Sequence, residues 1–125
     1  MIEKISTSDA PKAIGPYSQA VRHGNILFTS GQIALSPENG ALVGDDIKTQ
    51  TEQVMKNLSA ILKASGITFD NVIKTTCFLS DISYFSDFNE VYGKYITNAP
   101  ARSCVAVKDR PKGALVEVEI IASAD

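Results

Sequence analysis

Tryptophan is absent from this 125-residue chain, histidine occurs once and cysteine twice. A zinc site needs several clustered His and Cys ligands, and Ser-His-Asp or Cys-His catalysis needs an activating histidine. The only histidine, His23, lies in a turn signal beside Gly24, and Cys77 and Cys104 are far apart in the sequence. The composition therefore predicts neither a metal site nor a nucleophilic triad.

Long apolar runs, basic clusters and nucleotide-binding loops are also lacking. No stretch approaches the ~20 apolar residues that span a bilayer, and residues 1–6 alternate between apolar and polar where a signal peptide would be continuously apolar. A net charge of −2 without a basic cluster disfavours nucleic acid as a partner, and no GxGxxG or Walker motif occurs. We therefore expect a cytoplasmic protein with free thiols and a small-molecule partner.

The size and even composition predict one domain over residues 1–125, since no repeat or linker interrupts the chain. Residues 1–6 are predicted to form a first strand. Residues 17–22 and 26–30 then form a hairpin around His23-Gly24-Asn25. The remaining pattern predicts, in order, a helix, a strand, a second helix and two strands.

Both helices are predicted from apolar residues that recur every three or four positions. The first begins at Ile47 after Asp46 as its cap and ends at Gly66. The second has Ser83 as its candidate cap and ends near Pro100. Its apolar stripe comprises Phe85, Phe88, Tyr92, Tyr95 and Ile96.

The three later strands are predicted at residues 72–79, 102–107 and 115–123. In the last of them, alternation separates an apolar set (Val116, Val118, Ile120) from a mixed set (Glu117, Glu119, Ile121). Two helices can cover one face of such a sheet, so the mixed face is left for water or for another subunit. If the last two strands form a hairpin, pairing Cys104 with Glu117 also pairs Arg102 with Glu119, although the sequence does not fix this register.

Four residues near the end of the chain are candidates for chemistry. Arg102 fits either a surface ion pair or a planar two-donor anchor for a carboxylate. Glu117 and Glu119 share a strand face, where they are either solvated or able to orient water. Cys104 is more typical of a small core residue than of a nucleophile, because nothing near it in the sequence would lower its pKa.

Several motifs in a fixed order resemble the reactive-intermediate deaminase family, also called RidA or YjgF, over essentially the whole chain. They are Ala10-Pro11-x-Ala13-Ile14-Gly15-Pro16-Tyr17, Thr29-Ser30-Gly31-Gln32, Lys74-Thr75-Thr76, Pro100-Ala101-Arg102-Ser103 and Val116-Glu117-Val118-Glu119. The resemblance implies a chorismate-mutase-like α/β (α+β) fold, with a mixed sheet, two helices on one face, and a homotrimer with active sites between subunits.

The resemblance also implies hydrolysis of 2-imino acids, and of the enamines that tautomerise to them, to 2-oxo acids and ammonia without cofactor or metal. By this resemblance Arg102 binds the substrate carboxylate and Glu117 activates the attacking water. The remaining pocket residues implied by it are Tyr17, Ser30, Gly31, Asn89 and Cys104.

Two positions depart from the family pattern. Ala99 stands where many relatives have an aromatic residue, and Arg110 where an aliphatic residue is common. Ala99 bears on pocket size, whereas Arg110 is expected at a surface turn. Relatives have also been linked to ribonuclease or translation-inhibitor activity and to chaperone-like binding, and a non-catalytic carboxylate binder would keep Arg102 without needing Glu117.

Overall fold

A computed structural model describes all residues 1–125. It contains two helices, α1 (Ile47–Ala64) and α2 (Phe85–Tyr95). The six strands are β1 (Ile2–Ile5), β2 (Ala20–His23), β3 (Ile26–Thr29), β4 (Val72–Leu79), β5 (Ala101–Ala106) and β6 (Val116–Ser123). The mixed sheet with two helices matches the predicted fold class.

The six strands form one sheet in the order β1-β2-β3-β6-β4-β5. All neighbouring pairs are antiparallel except β4 and β5, which are parallel and are joined by α2. A parallel pair needs such a crossover, because its strands start at the same edge of the sheet. This crossover makes β5 an edge strand.

The helices cover one face of the sheet, as the alternation in β6 predicts. Val116, Val118 and Ile120 are buried in the same core as the apolar stripe of α1, which comprises Val54, Met55, Leu58, Ile61 and Leu62. The opposite face, which we call the open face, contains Glu117 and Glu119 together with the exposed Phe28 and Val105.

The last two strands do not form the hairpin that the sequence left open. The strand β4 lies between β5 and β6, pairing Cys77 with Cys104 on one side and with Val118 on the other. Cys104 therefore shares the helix-covered face with Val118, and Glu117 points to the open face. Pairing through α2 outcompetes the local hairpin because it lets β4 pair along both of its edges.

Two predicted boundaries also need correction. Asp46 does cap α1, accepting a 3.1 Å hydrogen bond from the Thr49 amide, but Ser83 does not cap α2. A single 3₁₀ turn over Ile82–Tyr84 runs directly into α2, and Asp81 caps that turn by accepting from the Ser83 amide. The predicted strand at residues 17–22 begins only at Ala20, because the Gln19 side chain turns inward to bond the N-terminal loop.

Neither α1 nor α2 is long and apolar enough to cross a membrane.

Candidate active site

Arg102 lies on β5 with its guanidinium held against α2. Its Nη1 donates a 2.7 Å hydrogen bond to Asn89 Oδ1. The guanidinium carbon also lies 5.4 Å from the ring centroid of Phe85 and 5.0 Å from that of Tyr92. Cation–π attraction favours this placement. The planar group is thereby oriented before any ligand arrives.

The ring of Tyr92 is itself fixed by a hydrogen bond to the sheet. Its hydroxyl is 2.8 Å from Thr75 Oγ1 on β4, in a buried hydrogen bond. Asn89 accepts one hydrogen bond from the Arg102 guanidinium and the Tyr92 hydroxyl also interacts with it, so most of its five N–H donors remain available. A half-buried guanidinium with free parallel donors is suited to bind a carboxylate.

Cys104 lies two residues beyond Arg102 on the same face and is half-buried. Burial raises the pKa of its thiol, and the nearby Arg102 charge partly offsets that rise. The raised pKa disfavours the thiolate at neutral pH, which argues against a role for Cys104 as the nucleophile of a catalytic cycle.

Glu117 lies on the open face against the segment that follows β3. A Cβ added at Gly31 would overlap the Glu117 carboxylate, so the absence of a side chain at Gly31 makes room for it. Gln32 and Val118 exchange backbone hydrogen bonds of 2.8 and 3.1 Å, which fix this segment beside β6. Gly31 and Glu117 are thus held together by backbone pairing.

The loop before β2 brings Tyr17 and Ser30 to the same place. The buried Gln19 amide donates to Pro11 O at 2.8 Å and accepts from the Thr7 amide at 2.7 Å, which closes the N-terminal loop. Ser30 Oγ donates to Ser18 O at 2.5 Å. A cleft of about 760 Å³ results, whose lining includes Tyr17, Ser30, Gly31, Lys112, Glu117 and Glu119.

The electrostatics of this cleft favour a basic carboxylate. Burial raises the pKa of Glu117, the neighbouring Glu119 raises it further, and the positive charge of Arg110 lowers it. Arg110 is more than a residue of a surface turn, because its guanidinium donates to Ala114 O at 2.6 Å and to Val107 O at 3.0 Å. It thereby ties together the loop that leads from β5 into β6.

The structure divides the predicted site residues into two clusters. We call Asn89, Arg102 and Cys104 the anchor cluster, and Tyr17, Ser30, Gly31 and Glu117 the carboxylate cluster. The anchor cluster lies on the helix-covered side of the sheet and the carboxylate cluster on the open side. The common face that a hairpin would have given Arg102, Cys104, Glu117 and Glu119 does not occur, because the register through β4 aligns Cys104 with Val118 rather than with Glu117.

Sequence reasoning missed the residues that position these clusters. Phe85 and Tyr92 lie four residues before and three residues after the implied pocket residue Asn89, so all three share one helix face toward Arg102. That spacing is a usable signal. Gln19 and Asn57 give no such sequence signal, because in the sequence both resemble ordinary surface amides. In the structure, Asn57 donates hydrogen bonds to Ile33 O and Leu35 O and thereby holds the loop after β3.

Comparison with known proteins gives one consistent family. The family profile described as Endoribonuclease L-PSP matches residues 7–124. Reactive Intermediate Deaminase A, chloroplastic, from Arabidopsis thaliana is 47% identical over 122 residues, covering 97% of this chain and 65% of that protein.

Two solved structures are similar along their whole length. The Rid family protein YyfA from Yersinia pestis has a TM-score of 0.96 at 48% identity, covering 98% of this chain and 99% of that one. E. coli TdcF with bound serine has a TM-score of 0.93 at 39% identity, covering 97% and 98%.

Proposed function

This chain belongs to the Rid family, also known as L-PSP or YjgF, and we propose that it hydrolyses small 2-imino acids and their enamine tautomers to 2-oxo acids and ammonia. The observation that carries the proposal is the Arg102 guanidinium, which is oriented by Asn89, Phe85 and Tyr92 yet keeps most of its donors free. A deaminase name on a relative 47% identical to this chain agrees with it.

We further propose that the active site is completed between subunits of a homotrimer. Within one chain the anchor and carboxylate clusters lie on opposite faces of the sheet, so one substrate would not contact both. The open face exposes Phe28 and Val105, and an apolar sheet face of this kind is suited to bury another copy. Because Arg102 lies on the edge strand β5, it is accessible to the carboxylate cluster of a neighbouring subunit.

The proposed reaction needs positioning and a base rather than a covalent intermediate. Arg102 binds the substrate carboxylate with two parallel hydrogen bonds, which fixes the imine carbon. Glu117 accepts a proton from water as the water oxygen bonds to the carbon of the protonated imine, giving a neutral tetrahedral carbinolamine. Transfer of that proton to nitrogen and loss of the hydroxyl proton then break the C–N bond, releasing ammonia and leaving the 2-oxo acid.

An assay with in situ substrate tests this function. A pyridoxal-phosphate-dependent dehydratase acting on serine or threonine releases aminoacrylate or aminocrotonate, which hydrolyses slowly in water. Adding this protein at catalytic concentration should accelerate 2-oxo acid release, and the same amount of Arg102→Ala protein should not. Equal rates with and without the wild-type protein would exclude the deaminase function.

Binding of small carboxylates without catalysis is the second candidate, favoured by the serine bound to E. coli TdcF. Such a binder would require Arg102 but not Glu117. Calorimetric titration with a simple 2-oxo acid, alongside the assay above, separates the two. Binding that depends on Arg102 without any acceleration of hydrolysis would favour the binder.

A further inference from the structure

The two cysteines of the chain lie side by side on neighbouring strands. Cys77 of β4 is directly paired with Cys104 of β5, both are free thiols, and both face the helices. Neighbouring strands are about 4.8 Å apart, and disulfides span Cα separations of about 4.4–6.8 Å. The sheet therefore holds the two cysteines at a backbone separation that a disulfide can span.

The two thiols differ in a way that assigns each a role. Cys77 is fully buried and burial raises its pKa to about 12, whereas Cys104 is half-buried on the edge strand. The charge of Arg102 lowers the pKa of Cys104 relative to burial alone. Cys104 is thus the more accessible and the more readily ionised of the pair, and a thiolate rather than a thiol attacks oxidants.

We propose that Cys104 and Cys77 form an oxidative modification site, in which a hydroperoxide converts the dithiol to a cross-strand disulfide. The Cys104 thiolate attacks the peroxide, whose O–O bond breaks, giving a sulfenic acid and one molecule of water or alcohol. Cys77 sulfur then attacks the Cys104 sulfur, its proton leaves with the displaced hydroxide as water, and the S–S bond forms. The two thiols lose two electrons, and the peroxide gains them.

Cys77 makes the oxidation of Cys104 reversible. A sulfenic acid without a thiol partner is open to further oxidation to sulfinic and sulfonic acids, which are not readily reversed. A resolving thiol in the same register removes the sulfenic acid as it forms. The raised pKa of Cys104 slows the first step and that of Cys77 slows the second, so the pair should respond to sustained rather than brief exposure to peroxide.

The disulfide would lie beside the anchor cluster. Cys77 is two residues from Thr75, which bonds the Tyr92 hydroxyl beneath the Arg102 guanidinium, and Cys104 is two residues from Arg102 itself. Closing the bridge draws the Cys104 sulfur toward the buried Cys77. We expect a several-fold fall in kcat/KM that a thiol reductant reverses; only this consequence rests on the proposed function.

Intact-protein mass spectrometry tests the site without an activity assay. The wild-type protein is treated with hydrogen peroxide, denatured and alkylated. We expect a monomer about 2 Da lighter that takes up no alkylating agent, and full return of two alkylation sites after reduction. Oxygen addition to Cys104 with Cys77 still alkylatable, or a disulfide that links two chains, would overturn the proposal.

Variants at Cys77 provide the matched control. In Cys77→Ala, and in Cys77→Val if the alanine variant folds poorly, the same treatment should add about 32 Da at Cys104, the mass of two oxygen atoms. In Cys104→Ala the buried Cys77 should stay reduced. Retention of an unmodified Cys104 in the Cys77 variants would show that Cys104 does not react with peroxide and would also overturn the proposal.

Discussion

The anchor cluster and the carboxylate cluster lie on opposite faces of one sheet and surround groups of opposite charge, Arg102 and Glu117, with different neighbours. Aromatic rings and a single amide surround Arg102, which keeps the cation oriented without neutralising it. Glu117 instead lies against a glycine and near a second carboxylate, and both burial and Glu119 raise its pKa. Direct pairing of the two residues in one chain would depress the pKa of the base and occupy the anchor. Their separation within one chain preserves both properties.

The largest expected effect comes from removing the anchor. Arg102→Ala should lower kcat/KM by about 10²-fold or more, since the substrate loses its principal charged contact. Arg102→Lys should recover only part of this, because a point charge does not reproduce the two parallel donors. Steady-state kinetics with the coupled dehydratase check both variants. Near-wild-type turnover of a correctly folded Arg102→Ala protein would remove the anchor from the mechanism.

Glu117→Gln should lower kcat by about 10²-fold while leaving binding of a 2-oxo acid inhibitor largely intact, because the base is lost and the anchor is kept. In the wild type, the raised pKa means that the basic form is lost as pH falls through a value above that of an ordinary glutamate. The acid limb of the kcat profile should lie at that elevated pH and should vanish in the variant.

Glu117→Gln should be more stable than the wild type at neutral pH, although it is less active. A glutamate whose pKa is raised on folding destabilises the protein once pH exceeds its unfolded-state pKa, because the folded state opposes ionisation. Glu117→Gln removes that cost and should melt at a higher temperature at neutral pH. Thermal unfolding at acid and neutral pH checks the sign: the advantage of the variant should shrink as the pH falls.

Gly31→Ala tests the carboxylate cluster more gently. The new methyl group would overlap the Glu117 carboxylate, which must turn aside, so kcat should fall roughly 10-fold, a partial loss of general-base catalysis. Gly93→Ala is the matched control, because Gly93 is exposed in α2 with nothing near its Cβ. The control should keep full activity and gain about 0.5–1 kcal/mol of stability. Equal kinetics in both variants would mean that Glu117 need not lie against Gly31.

The smallest expected effect lies near the start of β5. Ala99 has a φ of +49°, a conformation that favours glycine. Ala99→Gly should therefore raise the free energy of unfolding by about 1 kcal/mol, measured by urea denaturation, with little change in kcat/KM. A loss of stability would indicate that contacts of the Ala99 methyl group outweigh the backbone strain.

The two clusters also differ in how far the sequence predicts them. The alternation of Val116 and Glu117 assigns their faces because strand geometry is local, and the stripe from Val54 to Leu62 assigns the buried side of α1 in the same way. The partner of β5 could not be predicted locally, since it pairs with β4 across a whole helix. The hydrogen bonds from the Gln19 and Asn57 side chains to the loops could not be predicted from the sequence either, because a buried amide is distinguished from a surface one only by its tertiary neighbours.

Mixed oligomers test the central claim that anchor and base come from different subunits. Arg102→Ala and Glu117→Gln chains, each nearly inactive alone, are coexpressed with different tags, and the mixed species are purified. In every mixed trimer, one of the three intersubunit sites pairs an intact Arg102 with an intact Glu117, which is about one third of the sites. We expect the purified mixed trimers to recover about one third of wild-type activity. Activity no greater than that of the two separate variants would contradict it, because no single chain in the mixture has both residues.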